Sequence, residues 1–262
     1  MKGLLIGTDT ELFLQDRNTG KIVSAEGLIK GSKHVPFVFD DENPYFSTSL
    51  DNVLAEFTIP PAKSLEEWKL SLQKSVAYID SILPEHLCSV AIPSAHLDID
   101  QLQTQNARMF GCEPDFNVWT GDVNRKEKGV KATLRSGGGH IHFGFDDPTP
   151  EMCLEIVKSA DLHIAVPSVL MEPDNERKML YGKAGAFRFK PYGVEYRTVS
   201  NYYMASEPLR EWAYNAAIDT AAFVDAGNEI DAELGEAIVR AVNQCDKEIA
   251  ANLIKQFKLK TA

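Results

Sequence analysis

The chain has 262 residues, 44% of them hydrophobic and 25% charged, with a formal net charge of −11. That length can bury a substantial core without disulfides, and the composition is that of an ordinary soluble globular protein. A negative field of this size repels phosphate backbones and argues against nucleic-acid partners, and no apolar run approaches the ~20 residues of a membrane span. Cys88, Cys112, Cys153 and Cys245 lie far apart without C-x-x-C spacing. They suggest neither a zinc knuckle nor a disulfide framework and fit a reducing cytoplasm. The opening apolar stretch is interrupted at once by Asp9 and Glu11, so it does not read as a signal peptide.

In chain order, residues 4–14 predict a strand that places the carboxylates of Asp9 and Glu11 on one face. Asp16-Arg17-Asn18-Thr19-Gly20 is a turn signal, and residues 21–25 can return as a hairpin. Residues 27–39 have no period and read as a loop-rich lid or sheet edge. Residues 51–61 predict a strand ended by Pro60 and Pro61. Within it Glu56 interrupts an apolar run, so it either meets a cation or occupies the solvated face.

Ser64 caps a predicted helix running to about Leu83, with Glu66 and Glu67 in its first turn and an apolar stripe from Leu65 and Trp68 to Ile79. Residues 89–100 read as short strand and turn, where His96 is structural. Residues 110–119 combine aromatics with turn formers and either shape a pocket or plug an edge. The basic run at 125–135 is either a solvated loop or a contact for an anionic ligand.

Ser136-Gly137-Gly138-Gly139-His140-Ile141-His142-Phe143-Gly144-Phe145 is the organising stretch. On a strand His140 and His142 point one way while Ile141 and Phe143 point the other. Thr149-Pro150-Glu151 starts a helix to about Val166. Residues 177–190 form the most basic stretch, where composition favours a solvated loop, while Gly182 and Gly185 would let backbone approach a ligand. Residues 193–199 predict a third strand with paired side chains, Glu195 and Arg197. Two helices, 207–226 and 232–258, close the chain. No repeat or linker divides it, so residues 1–262 are read as a single domain. Nothing in it sets the oligomeric state.

Asp9, Glu11, Glu56, His140, His142 and Glu195 amount to four carboxylates and two imidazoles, if their strands lie side by side. An oxygen-rich set with one or two nitrogens suits Mg²⁺ or Mn²⁺ better than a tetrahedral zinc. Adding Lys183, Arg188 and Arg197 gives the same face metal ligands and anion clamps, the combination that holds a nucleoside triphosphate. No G-x-x-x-x-G-K-[ST] sequence is present, and Gly137-Gly138-Gly139 leads into a strand, so these glycines are not a P-loop.

Gly7-x-Asp9-x-Glu11, Glu56, Gly139-His140-x-His142-x-Gly144, and Arg188 followed by Tyr192-Gly193-Val194-Glu195-x-Arg197 resemble, in order, the signature of the glutamine synthetase and glutamate-cysteine ligase superfamily. Within it the chain is most similar to the type 2 amidoligases found largely in bacteriophages, through Tyr181-Gly182-Lys183-Ala184-Gly185 and Glu195-Tyr196-Arg197. Asp9 stands where many relatives carry glutamate, a shorter arm with the same charge. The resemblance implies an α+β fold: a curved, largely antiparallel sheet forming a glutamine synthetase-like partial barrel, with helices on its outer face. It implies ATP and two or three Mg²⁺ ions, and a carboxylate-amine ligase that makes an amide bond through an acyl phosphate. It also implies that Asp9, Glu11, Glu56, Glu195 and one or both of His140 and His142 hold metal. Arg188 and Arg197 would stabilise the migrating phosphoryl, and Lys183 would reach a phosphate or the substrate carboxylate. His142 is open to reading as a ligand, a substrate contact or a packed strand histidine.

The expected partners are a small-molecule or peptide carboxylate and an amine, in the cytoplasm of a bacterial cell or of an infected host. Two other readings compete. A metal-dependent hydrolase also uses H-x-H, though in amidohydrolase barrels that motif sits on the first strand within a β-α alternation absent here. A non-catalytic binding protein would keep the fold and turn nothing over.

Overall fold

The computed structural model describes residues 1–108, 115–124, 131–173 and 176–262. Residues 110–114 of the aromatic loop and 125–130 of the basic run lie outside the described residues. The strands are β1 (Leu5–Asp16), β2 (Ile22–Val23), β3 (Gly31–Ser32), β4 (Val35–Val38), β5 (Ser47–Asp51), β6 (Leu54–Thr58), β7 (Leu87–Val90), β8 (Ser94–His96), β9 (Phe116–Asn117), β10 (Leu134–Ser136), β11 (Gly139–Gly144), β12 (Ala186–Lys190) and β13 (Gly193–Tyr196). The large sheet runs β3-β4-β5-β6-β1-β11-β13-β12-β9, with β2 and β7 on the far half of β1, and β8 and β10 pair separately. Its described pairings are antiparallel except for β3 with β5.

Alternation along β1 decides which way the sheet faces. Ile6, Leu12 and Leu14 are buried on one side, where Thr8 and Thr10 share the Tyr203 hydroxyl at 2.7 and 2.8 Å. Asp9 and Glu11 therefore point to the other side. Phe57, Ile141, Phe143 and Val194 join the covered face and pack with Trp68, Ile156, Leu162 and Ala213 from the helices. Each such fully buried large side chain contributes roughly 1.5–3 kcal/mol, enough to fix the register of every strand, because a one-residue slip would expose the whole set.

The helices are α1 (Leu65–Ile82), α2 (Gln105–Arg108), α3 (Pro150–Ala160), α4 (Val166–Met171), α5 (Glu207–Asp225), α6 (Ala232–Gln244) and α7 (Lys247–Phe257). The predicted caps hold: Ser64 Oγ accepts from Glu67 N, and Thr149 Oγ1 accepts from Met152 N. None of the described helices is long and apolar enough to cross a membrane.

Three expectations need correction. The strand expected over 51–61 is only Leu54–Thr58. Asp51 instead ends β5, and Asn52 makes the tight turn between them at φ 59°. Of the two readings of 27–39, the sheet edge holds, formed by β3 and β4. The helix expected to end near Val166 passes through a π turn at Asp161–Ala165 into α4. The second C-terminal helix breaks at Cys245, whose left-handed φ of 52° ends α6, and Asp246 caps α7. The apolar stripe continues across that break, which is why periodicity alone read one helix.

Candidate active site

Residues directly opposite in an antiparallel pair share a face. Asp9 lies opposite His140 on β11 and Thr58 on β6, while Glu11 lies opposite Glu56. His142 lies opposite Gly7 on β1 and Glu195 on β13, and Glu195 lies opposite Arg188 on β12. The six residues expected to hold metal thus stand on one face of four adjacent strands, with Arg188 on the next. Donor atoms of five of them gather into two groups, Asp9 with His142 and Glu195, and Glu11 and Glu56 with Asp51, each within 4.8 Å, while His140 belongs to neither. Gly138 closes the second group from above: its N–H donates to Glu11 Oε2 at 2.7 Å. A Cβ there would stand 2.6 Å from His140 Nε2, so the backbone can come this close only as glycine.

The two groups differ in charge. Glu195, 1% exposed, accepts from Arg197 Nη1, has Lys190 Nζ at 2.6 Å and Arg188 Nη1 at 3.8 Å. Arg197 Nε also donates to Asp115 Oδ1 at 2.5 Å, with Arg188 Nη2 3.5 Å from the same oxygen. Burial and Asp9 push the Glu195 carboxyl up, but Arg197 and the two histidines prevail and hold it at about 2. Burial likewise opposes ionisation of Asp9, and His140 and His142 overcome it to hold that carboxyl well below its usual range. Both rings converge on Asp9 Oδ1, at 2.8 Å from His140 Nδ1 and 3.1 Å from His142 Nε2, and His142 Nδ1 lies 2.6 Å from the Tyr192 hydroxyl.

The second group is short of positive charge. Burial, reinforced by Asp9, Asp51 and Glu11, pushes the Glu56 acid well above its usual range. Burial and Glu11 push Asp51 up to about 7, against the partial relief of Lys33 and Arg197. Ser49 Oγ donates to Glu56 Oε2 at 2.5 Å, which orients the carboxylate but brings no charge. Three crowded carboxylates of this kind fit an oxygen-ligated divalent cation, whose charge would let all of them ionise. The first group offers a nitrogen besides its oxygens and fits Mg²⁺ or Mn²⁺ as well.

A cavity lies on each side of this row. The larger, of about 400 Å³, has mostly apolar walls from Leu5, Tyr45, Ile59, Pro61 and Tyr192 and reaches Asp9 and His142 past Gly7 and Gly144. The smaller, of about 40 Å³, is polar and mixes Glu11, Asp51 and Asp115 with Arg135, Arg177, Arg197, His140 and Tyr181.

Several of these residues escaped sequence reading. Lys190 was findable, because it follows Arg188 at the strand period. Asp51 was not, since β5 is polar along the site face and carries no apolar alternation to mark it. Asp115 and Arg177 lie in or beside loops without a period, and Arg177 is 2% exposed in a stretch whose composition favoured solvent.

Lys183 is not among the residues lining these two cavities, and its carbonyl accepts from Thr198 Oγ1 at 3.0 Å in the loop before β12. The flanking glycines are also reassigned. Gly182 and Gly185 have φ of 77° and 76°, and the space a Cβ would need is taken by the Arg177 guanidinium and the Trp119 ring. They admit protein groups where a ligand was expected.

Residues 131–257, just under half of the chain, match the family model described as Phage phiEco32-like COOH.NH2 ligase-type 2. The resemblance to type 2 amidoligases is borne out. The matched segment carries the two histidines, Arg188, Glu195 and Arg197, and the β1–β11 and β1–β6 registers join the amidoligase-like segment to Asp9, Glu11 and Glu56 upstream. Among solved structures, a bifunctional glutathione synthetase from Pasteurella multocida is similar with a TM-score of 0.50 and 11% identity over 97% of this chain and 49% of that one. This chain therefore spans about half the length of that protein, and at such identity the likeness is one of fold. None of the curated proteins compared matches the sequence.

Proposed function

We propose that the protein is an ATP- and Mg²⁺-dependent carboxylate-amine ligase that forms an amide bond on an amino-acid or peptide carboxylate through an acyl phosphate. The observation that carries this reading is the row of acidic and imidazole side chains set between an apolar cavity and a mixed-charge one. The large antiparallel sheet is read as the partial barrel of the glutamine synthetase superfamily, with residues 1–262 as one catalytic domain.

The apolar cavity, walled by Tyr45, Ile59, Pro61 and Tyr192, suits a flat nucleotide base. The polar cavity, with Arg177 and Arg197 beside Asp51 and Asp115, suits substrates that bring both a carboxylate and an amine. A substrate carboxylate oxygen attacks the terminal phosphorus and ADP leaves. The amine nitrogen then attacks the acyl carbon, phosphate leaves, and the nitrogen sheds its proton. Arg188 and Arg197 neutralise the charge that develops on the transferred phosphoryl. Lys190, which already meets Glu195 at 2.6 Å, takes the part the family resemblance assigned to Lys183. Asp9 and Glu195 with His140 or His142, and Glu11, Asp51 and Glu56, would hold two or three Mg²⁺ or Mn²⁺ ions, which would supply positive charge to offset that of the phosphates.

The reading places the reaction in the cytoplasm of a bacterial cell or of an infected host, with no nucleic acid or membrane partner. Its test is a screen of amino acids, peptides and polyamines for ADP release and product mass with Mg²⁺ present and absent. A ligase releases ADP and phosphate only with both substrates supplied. Hydrolysis of an amide without ATP, or no turnover across the screen, would overturn it.

A further inference from the structure

Behind the site face, at the start of the π turn, Asp161 is fully buried, and its two oxygens are engaged separately. The Tyr196 hydroxyl donates to Oδ1 at 2.7 Å, and the Trp119 indole N–H donates to Oδ2 at 2.7 Å. Tyr196 sits between Glu195 and Arg197 in the chain and turns to the covered face of the sheet, as alternation requires. Trp119 belongs to the loop that carries Asp115, the partner of Arg197 Nε. The Trp119 ring fills a slot floored by two glycines: a Cβ on Gly185 or Gly235 would stand 2.6 or 2.7 Å from it.

The two anchor residues are therefore next to, or on the same loop as, the two ends of the Arg197–Asp115 contact, and both end on one carboxylate. We propose that Asp161 is a positioning residue, which acts through Tyr196 and Trp119 to hold Arg197 and Asp115 at the distance the site requires.

The chemistry of the anchor favours a carboxylate specifically. The indole N–H can only donate and takes one oxygen, and the Tyr196 hydroxyl donates to the other. An asparagine would keep one oxygen for the indole but turn its amide N–H to the Tyr196 hydroxyl, which would have to accept instead of donate. Burial pushes the Asp161 acid up to about 6, against the hydrogen bonds of Trp119 and Tyr196 and the charge of Lys178, which favour the ion. The group is thus kept where an ion is disfavoured, in contact with two residues tied to the site and with neither cavity.

The test reads Arg197 directly and needs no substrate, so its outcome is independent of the proposed reaction. Hydrogen exchange at the ¹⁵N-labelled arginine Nε–H groups is followed in Asp161→Asn, Trp119→Phe and Tyr196→Phe, with Arg197→Lys to assign the signal. Arg135 is the internal control: its Nε donates to Asn52 Oδ1 at 3.1 Å, away from the anchor. The expected result is exchange at Arg197 faster by about tenfold, the opening that one lost hydrogen bond permits, with Arg135 unchanged. Trp119→Phe keeps a smaller aromatic ring in the slot and removes the indole donor, so it serves even where Asp161→Asn fails to fold. Unchanged exchange at Arg197 in a folded variant, or equal acceleration at Arg135 and Arg197, would overturn the proposal, since the latter is general loosening.

Discussion

Asp51→Asn should stabilise the metal-free protein and reduce its stabilisation by Mg²⁺. Asp51 has its acid raised from the ordinary 3.8 to about 7 by burial and by Glu11. With the folded value above the unfolded one, the folded state holds the proton more tightly between those two pH values. Stability contributed by Asp51 is therefore lost as pH rises from about 4 to 7. At about 1.4 kcal/mol for each tenfold change in proton affinity, the penalty above pH 7 is about 4 kcal/mol, and partial solvent contact and relaxation reduce it to about 2 kcal/mol.

At about 2.1 cal/mol/K per residue, a chain of this length converts about 2 kcal/mol into a melting shift of about 4 °C. Thermal melting in EDTA at pH 8 should then place Asp51→Asn about 4 °C above the parent, with the difference closing toward pH 4. Millimolar Mg²⁺ should raise the parent more than the variant, because one of the three carboxylates converging in the second group is gone while the first group is intact. Equal melting of the two proteins in EDTA at pH 8, or an Mg²⁺ response as large in the variant as in the parent, would refute the charge argument for this cluster.

Three further outcomes are expected. Glu195→Gln leaves Arg197, Arg188 and Lys190 facing each other without their shared carboxylate. It should cost about 3 kcal/mol of stability, stay folded at room temperature, and lose ADP release; unchanged ADP production would remove Glu195 from the site. Gly144→Val projects into the apolar cavity, where a Cβ meets its nearest neighbours at an ordinary 3.7–3.8 Å. ATP binding measured by calorimetry should weaken about tenfold with melting unchanged, whereas undiminished binding would move the base elsewhere. Cys245→Gly relieves a left-handed φ of 52° at the end of α6 and should add about 0.5–1 kcal/mol in chemical denaturation, with any loss of stability counting against the assigned strain.

The sequence was most legible where one period was enough. Alternation around Asp9, Glu11, His140, His142, Glu195 and Arg188 predicted a common face, and the registers of β1, β11, β13 and β12 join them as expected. The caps at Ser64 and Thr149 were equally plain, because a single side chain decides each. Legibility failed where a residue's surroundings come from distant segments. Lys183 sits in a basic, glycine-rich run that reads like an anion loop, yet its glycines make room for Arg177 and Trp119. Lys190, one strand period beyond Arg188, is the ammonium that meets Glu195.

Local chemistry in the chain thus determined the strand pairs of charged side chains, the helix starts and the class of ligand such side chains can hold, since each depends on neighbours within a few residues. Which carboxylates crowd together was decided only by the tertiary structure. Asp51 joins Glu11 and Glu56 because β5, β6 and β1 lie side by side. Asp115 meets Arg197 because its loop is drawn up against β12. Charge at a site is a sum over residues brought close in space, and that sum exists only once the chain has folded.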